Sequence, residues 1–163
     1  MRTVIVFYSL FGMTKTVAEK LAIDLWFDLV EIKTENEIKK FNLGSLLAMT
    51  IRGKLNLPQR LMPIDAELSE YDCIIFGIPW FYGQCANPMR MFIKQFKVVN
   101  KNVGYFIVGN KPAHKAHDEL KLFLKNNIVF LATSFNDIGP DFDNAIHRLK
   151  GQICQSMMKL FRQ

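Results

Sequence analysis

Cysteine is scarce in this sequence, and no hydrophobic run is long. The three cysteines, Cys73, Cys85 and Cys154, are an odd number and form no C-x-x-C pair. This argues against a disulfide framework and fits a reducing compartment. The first apolar run covers only residues 4–9, too short for a signal peptide, and no stretch approaches the roughly 20 apolar residues of a membrane span. We therefore expect a cytoplasmic protein without an integral membrane segment.

Two common nucleotide-binding motifs are missing as well. The chain has no G-x-G-x-x-G, and Gly53-Lys54 lacks the first glycine and the following hydroxyl residue of a P-loop. Acidic residues are outnumbered, 15 against 21 basic ones, which gives a net charge of +6. The basic residues are scattered and no DNA-binding motif is present, so we expect no nucleic acid partner. A basic surface favours anionic partners such as phosphorylated cofactors.

Strand-like and helix-like segments alternate along the 163 residues, which we interpret as one domain, 1–163. Apolar runs of strand length predict strands at 3–8, 27–32, 72–77, 103–108 and 128–133. The runs at 3–8 and 72–77 are typical of buried strands. Helical spacing predicts helices at 14–25, 89–96, 116–125 and 144–161, and a helical patch near 41–51. This order predicts an α/β protein, a five-stranded parallel sheet between two layers of helices.

The loop after the first predicted strand has the features of an anion cradle. A glycine lies between hydroxyl residues where a helix opens, and helix N-termini carry free N–H groups and positive partial charge. Gly12 lets the backbone approach a ligand, while Ser9 and Thr14 can donate hydrogen bonds to phosphate. Alternatively, the two hydroxyls only cap the helix. The candidate cofactor-binding residues here are Ser9, Leu10, Phe11, Gly12, Met13 and Thr14.

A second candidate loop follows the third predicted strand. Gly77 and Pro79 predict a turn, and three aromatic residues follow it. Ligands of open α/β sheets bind beyond the carboxyl ends of the strands, where the strand order reverses, and flat rings stack on aromatic side chains. The alternative is that the aromatics belong to the core. The candidate residues are Pro79, Trp80, Phe81, Tyr82 and Gly83, together with Asn110 after the fourth strand.

The two loops together resemble the flavodoxin-like superfamily. The first matches Y-S-x-x-G-x-T, and the second is similar to NAD(P)H:quinone oxidoreductases related to tryptophan-repressor-binding protein. The matching positions are Tyr8, Ser9, Gly12 and Thr14, then Gly77, Pro79, Tyr82, Gly83, Met89, Arg90 and Phe92. The resemblance implies the strand order 2-1-3-4-5. It also implies FMN bound by its phosphate on the first loop, with its ring against Trp80, Phe81 and Tyr82.

Departures from the family pattern keep three functions open. Phe11 stands where flavodoxins offer a threonine, and the loop at 109–114 is not glycine-rich. The first hypothesis is an FMN-dependent reductase that passes electrons from NAD(P)H or another donor to a quinone-like acceptor. The second is a one-electron carrier, although such carriers have acidic surfaces and this chain has a pI near 9.3. The third is a module that has lost FMN. The oligomeric state stays open.

The remaining polar residues give weaker signals, and no catalytic residue is assigned. His114 and His117 are three residues apart, but no cysteine or carboxylate has matching ligand spacing, so we expect no metal site. His114 is either a proton donor to a quinone or a surface residue. Cys85 is interpreted as a small loop residue, and Cys73 and Cys154 as buried. The last helix has one apolar stripe, which we expect to pack on the sheet rather than lie on a membrane.

Overall fold

The computed structural model describes residues 1–35, 59–81, 84–96, 98–109, 113–136 and 139–162. Its strands are β1 (Thr3–Phe7), β2 (Asp28–Glu31), β3 (Cys73–Phe81), β4 (Gln84–Cys85), β5 (Asn102–Val108) and β6 (Ile128–Phe135). Its helices are α1 (Met13–Leu25), α2 (Asn87–Gln95), α3 (His114–Phe123) and α4 (Phe142–Leu160), with a short 3₁₀ turn at Leu68–Glu70. The helical patch expected near 41–51 lies outside the described residues.

Five of the strands form a parallel sheet in the order β2-β1-β3-β5-β6. The two-residue strand β4 pairs antiparallel with the end of β3, off this path. Since β4 was not expected, β5 and β6 correspond to the fourth and fifth predicted strands. The expected order 2-1-3-4-5 is therefore confirmed. The strand order reverses between β1 and β3, so a switch point lies at their carboxyl ends.

Strand β1 shows why the sheet needs a helical layer on each face. It is buried along its whole length. Val4 and Val6 point into an apolar cluster shared with α2 and α3, while Ile5 and Phe7 point into a second cluster shared with α1 and α4. A strand buried on both faces carries an unbroken apolar run, which is the pattern of residues 3–8. The three-layer arrangement expected from the sequence is confirmed.

Helix α4 packs its apolar stripe on the sheet, as expected. The stripe residues that reach the core are Ile146, Leu149, Ile153 and Met157. A salt bridge of 3.0 Å from Lys150 Nζ to Asp24 also connects α4 to α1. None of the helices in the described residues is long and apolar enough to cross a lipid bilayer.

Strand β3 is longer than expected. The sequence predicted an end at Gly77 and a turn at Pro79, but the strand continues to Phe81 and returns as a hairpin through β4. The Gly77 carbonyl accepts a hydrogen bond of 3.2 Å from Tyr8 N–H. The backbone polar groups of a strand point alternately to its two neighbours, so residues 77 and 79 point to the same one. The nitrogen of Pro79 therefore faces the side of β1, but beyond the residue at which β1 ends. No neighbouring strand needs an N–H there, so the proline interrupts no ladder.

Helix boundaries also differ from the expected ones. Helix α3 begins at His114 and α4 at Phe142, each two residues earlier than predicted. First turns lack the apolar periodicity that predicts the rest of a helix, so the sequence gives their position poorly. Cys154 is half-buried on α4 rather than buried. Helix α1 ends at Trp26, which has φ 57 and is 94% exposed.

Candidate functional site

The loop between β1 and α1 presents its backbone to open space. Leu10 is half-buried against the cluster beneath α2 and α3, whereas Phe11 is 61% exposed. Gly12 has φ 85, and a Cβ added there would meet no atom within 4 Å. This left-handed conformation favours glycine, and it turns the chain directly into α1. The predicted anion cradle is therefore open to a ligand at the start of α1.

The start of α1 offers hydrogen-bond donors to this opening. Lys15 N–H donates to Ser9 Oγ at 3.2 Å. Within the described ranges, the N–H groups of Gly12, Met13 and Thr14 have no acceptor, as is usual for the first turn of a helix. Ser9 therefore caps the helix, one of the two roles the sequence left open, while its own hydroxyl proton remains free to donate. The Thr14 side chain is buried.

The charge around the cradle suits an anion. The first turn of α1 contains no acidic residue, so nothing there neutralises the positive end of the helix dipole. Lys15 Nζ lies 3.1 Å from a carboxylate oxygen of Glu31 and 4.0 Å from one of Glu19. These carboxylates pair with a lysine and leave the backbone donors of the helix start free. The charge at this helix start suits an anion such as a phosphate.

The aromatic residues after Gly77 lie on the hairpin of β3 and β4. Trp80 pairs with Cys85, and its side chain is half-buried against the cluster that Leu10 contacts. The Trp80 Nε1 atom is buried, and none of the described residues accepts a hydrogen bond from it. A buried donor without an acceptor is costly and calls for an explanation such as a ligand or water. Trp80 is thus partly core, with one unused polar atom.

Gly109 allows the ends of β3 and β5 to approach each other closely. A Cβ at Gly109 would collide with Trp80 Cβ and lie 3.1 Å from Trp80 Cγ. The Gly109 N–H donates to the Phe135 carbonyl at 3.0 Å, which fixes its backbone to the next strand. Gly109 therefore allows Trp80 to lie close against the end of β5, a role that the sequence did not indicate.

The predicted cofactor residues divide into two groups. Residues 9–14 and the pair Pro79 and Trp80 come together at the carboxyl ends of the adjacent strands β1 and β3. Phe81 ends β3 beside them. Tyr82, Gly83 and Asn110 lie outside the described residues, so their place in the site stays a prediction.

His117 takes part in a polar network that the sequence did not reveal. Its Nδ1 lies 3.2 Å from the Tyr105 hydroxyl and its Nε2 lies 2.8 Å from Ser134 Oγ. Burial lowers the pKa of His117, and the positive charges of Lys121 and His114 lower it further. His114 itself is exposed, and within the described residues no cluster of His, Cys, Asp or Glu could hold a metal ion. The two histidines therefore have different surroundings.

A carboxylate of α3 contacts the β3–β4 hairpin. Glu119 Oε2 accepts a hydrogen bond of 3.2 Å from Cys85 N–H, and Glu119 Oε1 accepts one of 3.1 Å from Arg90 Nη1. Cys85 was expected in a loop, but it lies in β4 and is fully buried, because the hairpin turns it inward. Burial and the Glu119 charge raise the pKa of the Cys85 thiol, which keeps it protonated and unreactive.

No family model matches this sequence, but solved proteins share its architecture. A flavoprotein from Lactobacillus acidophilus in complex with FMN is 22% identical, with a TM-score of 0.68 over 82% of this chain and 92% of that one. A candidate flavoprotein from Bacteroides eggerthii is 16% identical, with a TM-score of 0.76 over 91% and 94%. A flavodoxin, WrbA-like protein from Agrobacterium tumefaciens is 19% identical, with a TM-score of 0.56 over 96% and 98%.

These likenesses and the strand order define the class of the protein: a doubly wound α/β protein. More narrowly, its fold is that of the flavodoxins.

Proposed function

We propose that this chain binds FMN without a covalent bond and transfers electrons through the bound flavin. One observation carries the proposal: the open start of α1 and the half-buried Trp80 lie at the ends of two neighbouring strands, at the switch point of the sheet. The first suits a phosphate and the second an aromatic ring. A protein of similar fold has been solved in complex with FMN, which supports the same cofactor here.

The residues present fit this cofactor. Gly12 has no side chain, and the space beside it is open to a phosphate. The N–H groups of the first turn can donate hydrogen bonds to that phosphate. The buried Nε1 of Trp80 lacks an acceptor among the described residues, and the isoalloxazine ring carries carbonyl and nitrogen acceptors. Each half of the site therefore has unused donors for one half of FMN.

The side chains of this protein would bind and orient the cofactor. The Ser9 hydroxyl and the N–H groups of Met13 and Thr14 would hold the phosphate, and Trp80 would exclude water from the ring. When bound, the isoalloxazine ring supplies the redox chemistry, which no amino-acid side chain can replace. The absence of a side chain at Gly109 would leave room for Trp80 to lie close to the end of β5.

We propose NAD(P)H as the electron donor and a quinone as the acceptor. The net charge of +6 attracts an anionic dinucleotide. The ring of Phe11, exposed beside the cradle, gives a flat apolar surface on which a quinone can dock. The resemblance of the second loop to quinone reductases supports the same assignment.

The first test is binding, with the substitution Phe11→Glu beside the cradle. Protein mixed with FMN and freed of excess by gel filtration should retain flavin absorption bands. The added carboxylate should weaken FMN binding by about tenfold or more through repulsion, and riboflavin binding, measured by the same titration, should change much less. The control is Ile23→Glu, because Ile23 is 74% exposed near the far end of α1 and the substitution adds the same charge away from the cradle.

Each result of this test has a distinct meaning. Wild-type protein that retains no FMN contradicts the proposal and leaves a fold without flavin function. Flavin-loaded protein that oxidises neither NADH nor NADPH with benzoquinone contradicts the donor and acceptor. Reduction in two one-electron steps would then favour a carrier, and a single two-electron step would favour a reductase.

A further inference from the structure

The β3–β4 hairpin is too short to be stable without other contacts. Strand β4 has only two residues, and they form two pairs with β3, Trp80 with Cys85 and Phe81 with Gln84. Two-stranded hairpins are marginally stable in water even when they are longer. The position of Trp80 therefore depends on contacts from outside the hairpin.

Glu119 of α3 provides such a contact from the next helical layer. Both of its carboxylate oxygens are used, one by Cys85 N–H at 3.2 Å and the other by Arg90 Nη1 at 3.1 Å. The side chains of Arg90 and Glu119 are only 7% and 22% exposed. One carboxylate thus connects β4, α2 and α3 in a region that water barely reaches.

The chemistry of the contact requires a carboxylate. A charge-assisted hydrogen bond is stronger than a neutral one, and a buried arginine needs a nearby negative charge. Glutamine has no charge and one acceptor oxygen instead of two, so Cys85 N–H and Arg90 Nη1, which now use different oxygens of Glu119, would have to share one neutral acceptor. Asp118, the neighbouring carboxylate on α3, is 78% exposed and lies 3.9 Å from Lys121, so it contributes nothing to the hairpin.

We infer that Glu119 is a positioning residue that holds the β3–β4 hairpin in its ring-binding shape before any flavin binds. The inference rests on the proposed function, since it concerns the ring half of the FMN site. Glu119 acts through Cys85 N–H and touches the hairpin rather than the cofactor. Arg90 orients the Glu119 carboxylate through the hydrogen bond of 3.1 Å from its Nη1 atom.

The test compares Glu119→Gln with Asp118→Asn, its neighbour on α3, at a temperature where all proteins are folded. Glu119→Gln should weaken FMN and riboflavin binding by the same factor, about 10- to 100-fold, because the ring side is shared by both ligands. Asp118→Asn should bind both like the wild type. A variant that lost only general stability would bind both ligands normally while folded.

A second measurement does not depend on flavin. Hydrogen exchange of the Cys85 amide in flavin-free protein should be about tenfold faster or more in Glu119→Gln than in Asp118→Asn. Should Glu119→Gln not fold, Glu119→Asp replaces it, since it keeps the charge but shortens the reach.

The outcomes separate the inference from the proposed function. Wild-type affinity or wild-type Cys85 exchange in the Glu119 variant overturns the inference, even if FMN binds. A larger loss for FMN than for riboflavin also overturns it, because the effect would then lie at the phosphate. Wild-type protein that binds no flavin refutes the proposed function, and the exchange rates alone then decide whether Glu119 holds the hairpin.

Discussion

Two glycines of this chain differ in the space that surrounds an added methyl group. At Gly109, a Cβ would collide with Trp80 Cβ across the ends of β3 and β5. At Gly151, in the interior of α4, a Cβ would meet no atom within 4 Å. Crowding decides the effect at Gly109, and the backbone entropy of the unfolded chain decides it at Gly151.

We expect Gly109→Ala to lower the free energy of unfolding by about 1–3 kcal/mol, because two backbones must move apart. The matched control Gly151→Ala should raise it by about 0.5–1 kcal/mol through helix propensity. Urea unfolding of both variants gives the comparison. Equal stability of Gly109→Ala and the wild type would show that the two strands separate without cost.

A comparison of Gly12 with Gly109, the two glycines at the candidate site, explains what the sequence could predict about single residues. Gly12 could be recognised because its neighbours Ser9 and Thr14 form a local pattern. Gly109 could not, because its role depends on Trp80, which is distant in the chain and approaches only in the folded sheet. Glu119 was missed for the same reason.

At the scale of elements, His117 joins α3 to the neighbouring strands β5 and β6 through the Tyr105 and Ser134 hydroxyls. The charged groups near its ring are Lys121 and His114, which lower the pKa of His117, and Asp118, which raises it. Burial is the largest influence and favours the neutral ring. Protonation therefore costs more in the folded protein than in the unfolded chain.

We expect this histidine to make stability depend on pH. Because the pKa of His117 is lowered in the folded protein, the unfolded chain binds the proton first as pH falls through about 6.5. The free energy of unfolding should therefore be highest above that pH and fall until the folded pKa is passed. Urea unfolding between about pH 8 and pH 5 measures this slope.

The comparison for this pH dependence is His117→Gln, which can still form hydrogen bonds but does not titrate. Its slope below about pH 6.5 should be smaller than that of the wild type. The positional control is His147→Gln, on the exposed side of α4, because it makes the same exchange of side chains away from the Tyr105 and Ser134 hydroxyls. An unchanged slope in His117→Gln would assign the pH dependence to other groups.

The elements themselves were largely predictable, and the end of β3 is an instructive exception. Residues 3–8 predicted a buried strand because both faces of β1 are covered. The extension of β3 past Gly77 could not be predicted, because Pro79 and Gly77 are typical of turns. A strand tolerates Gly77 and Pro79 here only because β1 ends beside them. The position of that end depends on the pairing of β1 with β3 and cannot be derived from the local sequence.

At the scale of the whole molecule, the net charge of +6 favours the approach of an anion to the proposed phosphate site at the start of α1. Long-range attraction of this kind is screened by salt. The fold class and the strand order followed from the alternation of elements and the loop motifs. Neither pattern gives the structure between the second and third predicted strands, where residues 36–58 lie outside the described ranges.

We expect FMN affinity to fall as the salt concentration rises from about 0.01 M to about 1 M, over which the Debye length shortens from about 30 Å to about 3 Å. Riboflavin, which has no phosphate, is the control and should bind with nearly constant affinity. Titration at several salt concentrations measures both. Equal salt dependence of the two ligands would contradict binding by the phosphate.

The two tryptophans of the chain lie in contrasting surroundings, and this has a spectroscopic consequence. Trp26 is 94% exposed at the end of α1, while Trp80 is half-buried at the candidate site. Their indole emission should therefore separate by wavelength, and iodide should reach only Trp26. With Trp26 replaced by phenylalanine, the remaining emission comes from Trp80 at the candidate site. Energy transfer from the Trp80 indole to a bound flavin would then report flavin binding in real time.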